Sequence, residues 1–392
     1  MNTKGQAEQL WKPIPLGMVG GGQGSLIGAP HRLAARMDGQ FTLVAGAFSS
    51  TQQKSRVSGR DLGLDPDRCY GDYAEMAAKE AAREDGIEAV SIVTPNHVHA
   101  PAALTFLKAG IHVICDKPLT ATLDEALELQ RTVRKSGKLF CLTHNYSAYA
   151  MVRHAKAMVA AGELGEIRSV QVEYPCGWLA EPIEQTGVHK QAAWRTEPKL
   201  AGGGAIADIG THAWHLARTI SALELEELSA DLSSLVAGRQ IDDHAQVLLR
   251  FQNGARGILW VSQIALGAEN GLKIRLFGSK GGLEWSQMEP ETLIHTPLGK
   301  PRQLLLRGAA GSRLEADRLG RLPGGHPEGY FEAFGNVYRD VAAAIRMSRG
   351  GSLHYPQDAV FATIDEGVEG MRFIHACQES SAANGKWISP GR

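Results

Sequence analysis

The stretch PLGMVGGGQGSLIG, Pro15–Gly28, decides the fold. A short apolar run ends in glycines, and apolar residues at helical spacing follow from Leu26 to Met37. In a strand–glycine turn–helix unit, backbone approaches a pyrophosphate closely and helix N–H groups face the anion. Gly20, Gly22 and Gly24 lie in the turn, with Gln23 between the last two. Ser25 stands where a strict GxGxxG pattern has its third glycine, and Gly28 comes one turn later. Serine is small enough for helix–strand packing, so these residues, Ser25 included, predict dinucleotide binding.

Outward from this turn the same alternation repeats. Phe41–Phe48, Ile87–Pro95, Ile111–Pro118 and Leu139–Tyr146 are further apolar runs, with helical patterns between them. Continuous rather than alternating apolar runs fit a parallel sheet covered on both faces. The fold class is therefore α/β, with a Rossmann (doubly wound parallel sheet) domain expected over 1–148. Beyond it the strand patterns take period two, in RSVQVEY, HAQVLLRF, ARGILWVSQIAL, LKIRLFGSKGGLEW and TLIHTP, with the turns QNGARG and GSKGG. Residues 149–392 thus read as an α+β domain with a large, mostly antiparallel, open-faced sheet for substrate binding and oligomerisation. The Arg-rich segment 300–325 reads as a loop with at most a short helix. Two helices close the chain, one from Tyr330 and one from Asp358, and a return of the last onto the first domain is left open.

Composition narrows the function. The 392 residues carry 41 basic and 42 acidic side chains. That balance gives no footprint for nucleic acid or an anionic membrane, and points to a small, neutral or locally matched substrate. Five scattered cysteines without a CxxC pair fit a reducing compartment. The N-terminal MNTKGQAEQLWKPIP is polar, and no run of eighteen apolar residues occurs. A cytoplasmic protein without signal peptide or membrane span is expected.

Four places carry the chemistry. At the end of the second strand an acid usually binds the ribose hydroxyls in NAD enzymes, but here Phe48, Ser49 and Ser50 follow, with Lys54 and Arg56 beyond. Ser49 and Ser50 suit a 2′-phosphate, so the choice between NAD and NADP leans slightly to NADP. In TPNHVHA, Thr94, Pro95 and Asn96 end the third strand at the nicotinamide side, and His99 is a further cofactor contact or a local packing residue. In CDKP, Lys117 ends a buried strand, where a lysine is costly without a task. It suits a substrate oxygen on which charge develops. Finally, Asp208 and His212 sit four apart after Gly202–Gly204. Asp242, Asp243 and His244 are consecutive before a strand, a pattern of capping or turning, and no metal is expected.

These motifs, in this order, resemble the Gfo/Idh/MocA family, named for glucose–fructose oxidoreductase and inositol dehydrogenase. The resemblance covers nearly the whole chain. It implies an enzyme: an NAD- or NADP-dependent oxidoreductase acting on a secondary alcohol or ketone of a sugar, inositol or related polyol. It also implies a homodimer or homotetramer formed through the C-terminal sheet. The family's catalytic lysine falls on Lys117, its aspartate on Asp208 and its histidine on His212. Asp116 replaces the usual Glu, and AAWRT echoes a pocket element through Trp194 and Arg195.

The residues also support this chemistry without the family. Histidine has a suitable intrinsic pKa to take a hydroxyl proton. Asp208 would orient that ring or bind a neighbouring hydroxyl, and Lys117 would clamp the reacting oxygen from the other domain. Gly202–Gly204 then read as a side-chain-free approach for substrate and nicotinamide. Asn145, Tyr146, Trp194, Arg195, His215 and His326 are the expected substrate contacts. Two alternatives stay open: a non-catalytic dinucleotide sensor, and a sugar–sugar oxidoreductase with a tightly bound, internally recycled cofactor.

Overall fold

A computed structural model describes residues 12–391, so the polar stretch at residues 1–11 lies outside the described residues. The chain divides into two compact units. The first holds β1 (Ile14–Gly20), β2 (Phe41–Ala47), β3 (Ala89–Val93), β4 (His112–Cys115) and β5 (Phe140–Leu142). Their order is β2-β1-β3-β4-β5 and every pairing is parallel. β3 is buried along its whole length, as its unbroken apolar run requires. The strand order reverses between β1 and β3, and ligands of such sheets bind outside the carboxyl ends at that point. The glycine turn follows β1 and Thr94 follows β3 there.

The second unit is built on an eight-stranded sheet. Its strands are β6 (Ile167–Pro175), β7 (Leu225–Ser233), β8 (His244–Phe251), β9 (Arg256–Ser262), β10 (Lys273–Gly278), β11 (Gly281–Ser286), β12 (Thr292–Pro297) and β13 (Gln303–Leu306). The order is β13-β12-β11-β10-β6-β9-β8-β7, and only β6 with β9 pairs parallel. Ala245, Val247, Leu249 and Phe251 of β8 are buried, while Gln246 and Leu248 between them are exposed. Period-two patterning has thus produced a sheet with one core face.

Three details differ from the sequence reading. Among the described residues the first unit comprises 12–120, 124–143 and 334–367, where the expected cut was a single one between 148 and 149. The return has a physical cause in Tyr338, on the helix Tyr330–Ser348. Its buried hydroxyl lies 2.7 Å from both His31 Nδ1 and Ser91 Oγ. Secondly, the segment 300–325 contains a strand, β13, besides the short helix Leu314–Asp317. Arg307 fastens it, with its guanidinium on Glu291 and on the carbonyls of Leu322 and His326. Thirdly, the last helix begins at Ile364, not near Asp358. Thr363 and Glu366 form a capping box there, in which the Thr363 N–H donates to the Glu366 carboxylate at 2.7 Å.

Candidate active site

In the first unit, Gly20 and Gly24 both have positive φ and open the turn, and Ser25 N–H closes it onto Gly22 O at 3.0 Å. The close helix–strand contact rests on Gly28 rather than on Ser25. A Cβ on Gly28 would lie 2.5 Å from Gly21 Cα. Ser25 instead accepts the Gly28 N–H through its hydroxyl at 3.3 Å. Gln23 is tied to the helix Gln52–Asp61, its backbone N–H to Ser58 Oγ and its side chain to Asp61. Ser49 is half-buried and Ser50 exposed. Phe48, at the place of the usual acid, is buried in an apolar cluster with Met18 and Val93.

Among the described residues, Thr94 Oγ1 is a buried hydroxyl without a hydrogen-bond partner, beside a glycine turn with a helix behind it. A dinucleotide suits this arrangement, since the turn presents backbone to phosphate and Thr94 offers a donor that nothing in the protein takes. Asn96 is buried nearby and Pro95 half-buried. Of the two readings of His99, its surroundings favour local packing. Its ring is fully buried, with Nδ1 2.8 Å from Pro118 O and Nε2 3.0 Å from Thr94 O. Each nitrogen faces a backbone carbonyl, so the ring packs between the segment after β3 and the one after β4. Burial lowers its pKa, against the opposite pull of Asp116 and the two carbonyls.

Lys117 is half-buried directly after β4. Its neighbour Asp116 accepts the Thr143 hydroxyl at 2.8 Å and lies 3.7 Å from His31 Nε2. Burial alone would raise the Asp116 pKa, but His31, Lys117 and His99 outweigh it and hold the carboxyl well below its usual range. Ser91, Tyr338 and His31 thus form a buried polar line that faces, across 3.7 Å, the Asp116 carboxylate beside Lys117.

In the second unit the segment Ile206–Gly210 is a π-helical turn that runs into the α-helix Thr211–Ser221. Such turns occur frequently at functional sites. Asp208 lies in the π turn, and His212 and His215 lie on the helix. The turn is built on Asp242. Its carboxylate accepts Gly204 N–H and Ile206 N–H, each at 2.8 Å, and its carbonyl accepts Ala205 N–H at 2.8 Å. Asp243 likewise takes Leu235 N–H and Val236 N–H and pairs with Arg239. This overturns the reading of Gly202–Gly204 as an open approach. A Cβ on Gly204 would lie 1.8 Å from Asp242 O, and one on Gly202 would lie 2.2 Å from Ala121 O. Gly202 and Gly204 admit the protein's own backbone.

Asp208 receives a hydrogen bond from Gln263 Nε2 at 2.8 Å and lies 3.5 Å from Arg195 Nε. Arg195 in turn lies over the Trp194 ring at 4.3 Å. The sequence thus brought Trp194, Arg195 and Asp208 to one place. His212 stands among rings. It meets Tyr146 edge-on at 4.7 Å and Tyr174 at 6.3 Å, and its Nδ1 lies 3.4 Å from His144 Nδ1. His144 stacks on His215 with centroids 4.1 Å apart, and Ser147 Oγ lies 2.5 Å from His215 Nδ1.

The hydroxyls of Tyr146 and Tyr174 close a three-membered ring with Asn270: 2.7 Å between the hydroxyls, 2.7 Å from Tyr174 to Asn270 Oδ1, and 3.2 Å from Asn270 Nδ2 to Tyr146. Burial raises the pKa of both phenols, so they remain donors. Asn145 is buried, with Nδ2 lacking a partner. His326 is exposed on a turn whose carbonyl Arg307 holds.

Sequence reasoning missed His144, Tyr174, Gln263 and Asn270. Only His144 left a signal, since it adjoins Asn145 and Tyr146 at a strand's carboxyl end. The other three come from sheet register and loop closure. Among the described residues no group of histidine, cysteine, aspartate or glutamate forms a metal-holding cluster, and no helix is long and apolar enough to cross a membrane.

Comparison with known proteins adds four relations. A family model described as an oxidoreductase family with an NAD-binding Rossmann fold matches residues 14–144, and one described as a GFO/IDH/MocA C-terminal domain matches 152–284. A solved oxidoreductase from Sinorhizobium meliloti is 52% identical, with TM-score 0.88, over 96% of this chain and 100% of that one. An inositol dehydrogenase homologue from Azotobacter vinelandii, solved with NADH and myo-inositol, is 37% identical with TM-score 0.89, over 96% and 98%. Its complex with NAD+ is 38% identical, TM-score 0.91, over 96% and 97%. The uncharacterised oxidoreductase YfiI of Bacillus subtilis is 37% identical over 96% of this chain and 97% of its own. The lean toward NADP finds no support, because the cofactors in the Azotobacter complexes are NAD+ and NADH.

Proposed function

Because the chain belongs to the Gfo/Idh/MocA family of NAD-binding oxidoreductases, we propose that it is an NAD-dependent dehydrogenase acting on a secondary alcohol of an inositol, sugar or related polyol. The observation that carries this reading is the ring-lined setting of His212, with Asp208 held by Gln263 and Arg195 beside it. Bound NAD+ would accept the hydride from the carbinol carbon as the alcohol becomes a ketone. The protein's own residues do the rest. Gly20, Gly22, Gly24 and Thr94 hold the dinucleotide in the first unit. His212 takes the hydroxyl proton as general base. Lys117 donates to a substrate oxygen on which negative charge develops. Asp208 and Arg195 bind neighbouring hydroxyls, and the Trp194 and Tyr146 rings suit the apolar face of a sugar or inositol ring.

A second copy of the chain is the occupant we assign to the open sheet face. Leu248 of β8 and Ile258 of β9 are register neighbours and both are exposed, as is Phe277 of β10. A dimer or tetramer in sedimentation, weakened by Ile258→Asp, is the expected result.

The main test is a panel of myo-inositol, aldoses and sugar acids, each with NAD+ and NADP+, followed at the absorbance of the reduced nicotinamide. Turnover of a cyclic polyol or sugar with NAD+ is expected, and Lys117→Ala abolishes it while NADH binding survives. Reaction with short aliphatic hydroxy acids alone overturns the substrate class. Binding of NADH with no turnover of any member points to a sensor instead.

A further inference from the structure

We propose that His144 is a positioning residue that holds His212 in the tautomer needed to act as a base. The inference rests on His212 being the base, and it adds a residue to which no role has been assigned. A histidine that accepts a proton on Nε2 must carry its own proton on Nδ1, and that N–H needs an acceptor. Catalytic histidines often meet a carboxylate there. In this protein His212 Nδ1 lies 3.4 Å from His144 Nδ1.

Two Nδ1 atoms in contact share one proton. If His212 holds it, His144 accepts and is itself protonated on Nε2. The arrangement around His144 fixes its ring for that task. It is buried and stacked within 11° of parallel on His215, and Ser147 holds His215 in turn. The ring of Tyr146 meets His212 on another side, fixed by its bond to Tyr174 and Asn270.

The test uses the full chain labelled with [15N]histidine and long-range 1H–15N spectra, with His212 assigned by its disappearance in His212→Gln. The proposal expects His212 protonated on Nδ1 in the wild type. His144→Leu should move most of it to the Nε2–H form, whereas His144→Asn, whose Oδ1 still accepts, should retain Nδ1–H. On the polyol that turns over fastest, His144→Leu should lower kcat about 30-fold with KM within about twofold, and His144→Asn should recover most of the loss.

Nε2–H in the wild type overturns the proposal, as does a tautomer unchanged in His144→Leu or an Asn variant no better than Leu. If His144→Leu fails to fold, His144→Phe with its similar ring replaces it in the same comparison. Full turnover by His212→Gln would instead remove the base assignment, and the tautomer spectra would still decide the role of His144.

Discussion

The two units wire their polar residues differently. In the first, the buried line from Ser91 through Tyr338 and His31 faces Asp116, a fixed negative charge beside Lys117. In the second, His212 is lined by the rings of Tyr146, Tyr174 and His144, and the acid Asp208 is held by Gln263 and Arg195. A buried charge must keep its partners or its desolvation is uncompensated, so the first network is tied to stability. Rings tolerate changes of proton position at little cost, so the second suits chemistry. Substitutions in the first should therefore weaken the fold, and those in the second should weaken turnover.

The largest expected effect tests the second half. His212→Gln should lower kcat by about 10³-fold while moving the melting temperature by no more than about 2 °C. A large loss of stability with that variant would erase the contrast. Gly204→Ala breaks the frame beneath the ring cluster rather than the cluster itself. With its Cβ 1.8 Å from Asp242 O, it should cost about 3 kcal/mol in urea denaturation. Stability within about 0.5 kcal/mol of wild type would mean that the π turn shifts freely.

The first unit is tested by its partners and by acid. Tyr338→Phe leaves His31 and Ser91 without their shared hydroxyl and should cost about 2 kcal/mol, with kcat changed less than about threefold. Part of the acid limb comes from His112, whose Nδ1 accepts Leu139 N–H and whose pKa burial lowers to about 4, helped by Lys138 and Arg349, while His99, His154 and His295, also lowered by burial, add to it. The unfolded chain then binds the extra proton first. The His112 part of this stabilisation is whole above about pH 6.5 and fades as pH falls toward 4, by on the order of 3 kcal/mol. Melting curves across that window should show the slope, and His112→Asn should lessen it. The smallest effect belongs to Tyr174→Phe, which opens the three-membered ring at about 1 kcal/mol and raises KM more than it lowers kcat.

Much of this was legible because it is local. The glycine turn, the apolar strands and the hairpins at QNGARG and GSKGG are signalled by neighbours in sequence. Asp208, His212 and Arg195 were legible as residue types suited to polyol chemistry. What sequence hid is long-range. Tyr338 meets His31 across 307 positions and Ser91 across 247. Asp242 meets Gly204 across 38, so the three glycines looked open until their partner was in place. β7 gave little apolar alternation because it is an edge strand bearing Glu226, Glu227 and Asp231. The start of the last helix was the exception, since Thr363 and Glu366 spell a capping box that went unread.

The return of residues 334–367 to the first unit has a consequence for synthesis. A ribosome delivers the five strands of that sheet early, but Tyr338 emerges only after the whole eight-stranded sheet. Until then His31 and Ser91 lack the hydroxyl that satisfies them. The nascent nucleotide-binding half therefore waits, incomplete, while the other sheet is made. Cutting the chain after residue 143 would yield a fragment that begins its fold and does not finish it. Adding 334–367 back as a separate peptide should complete it in trans.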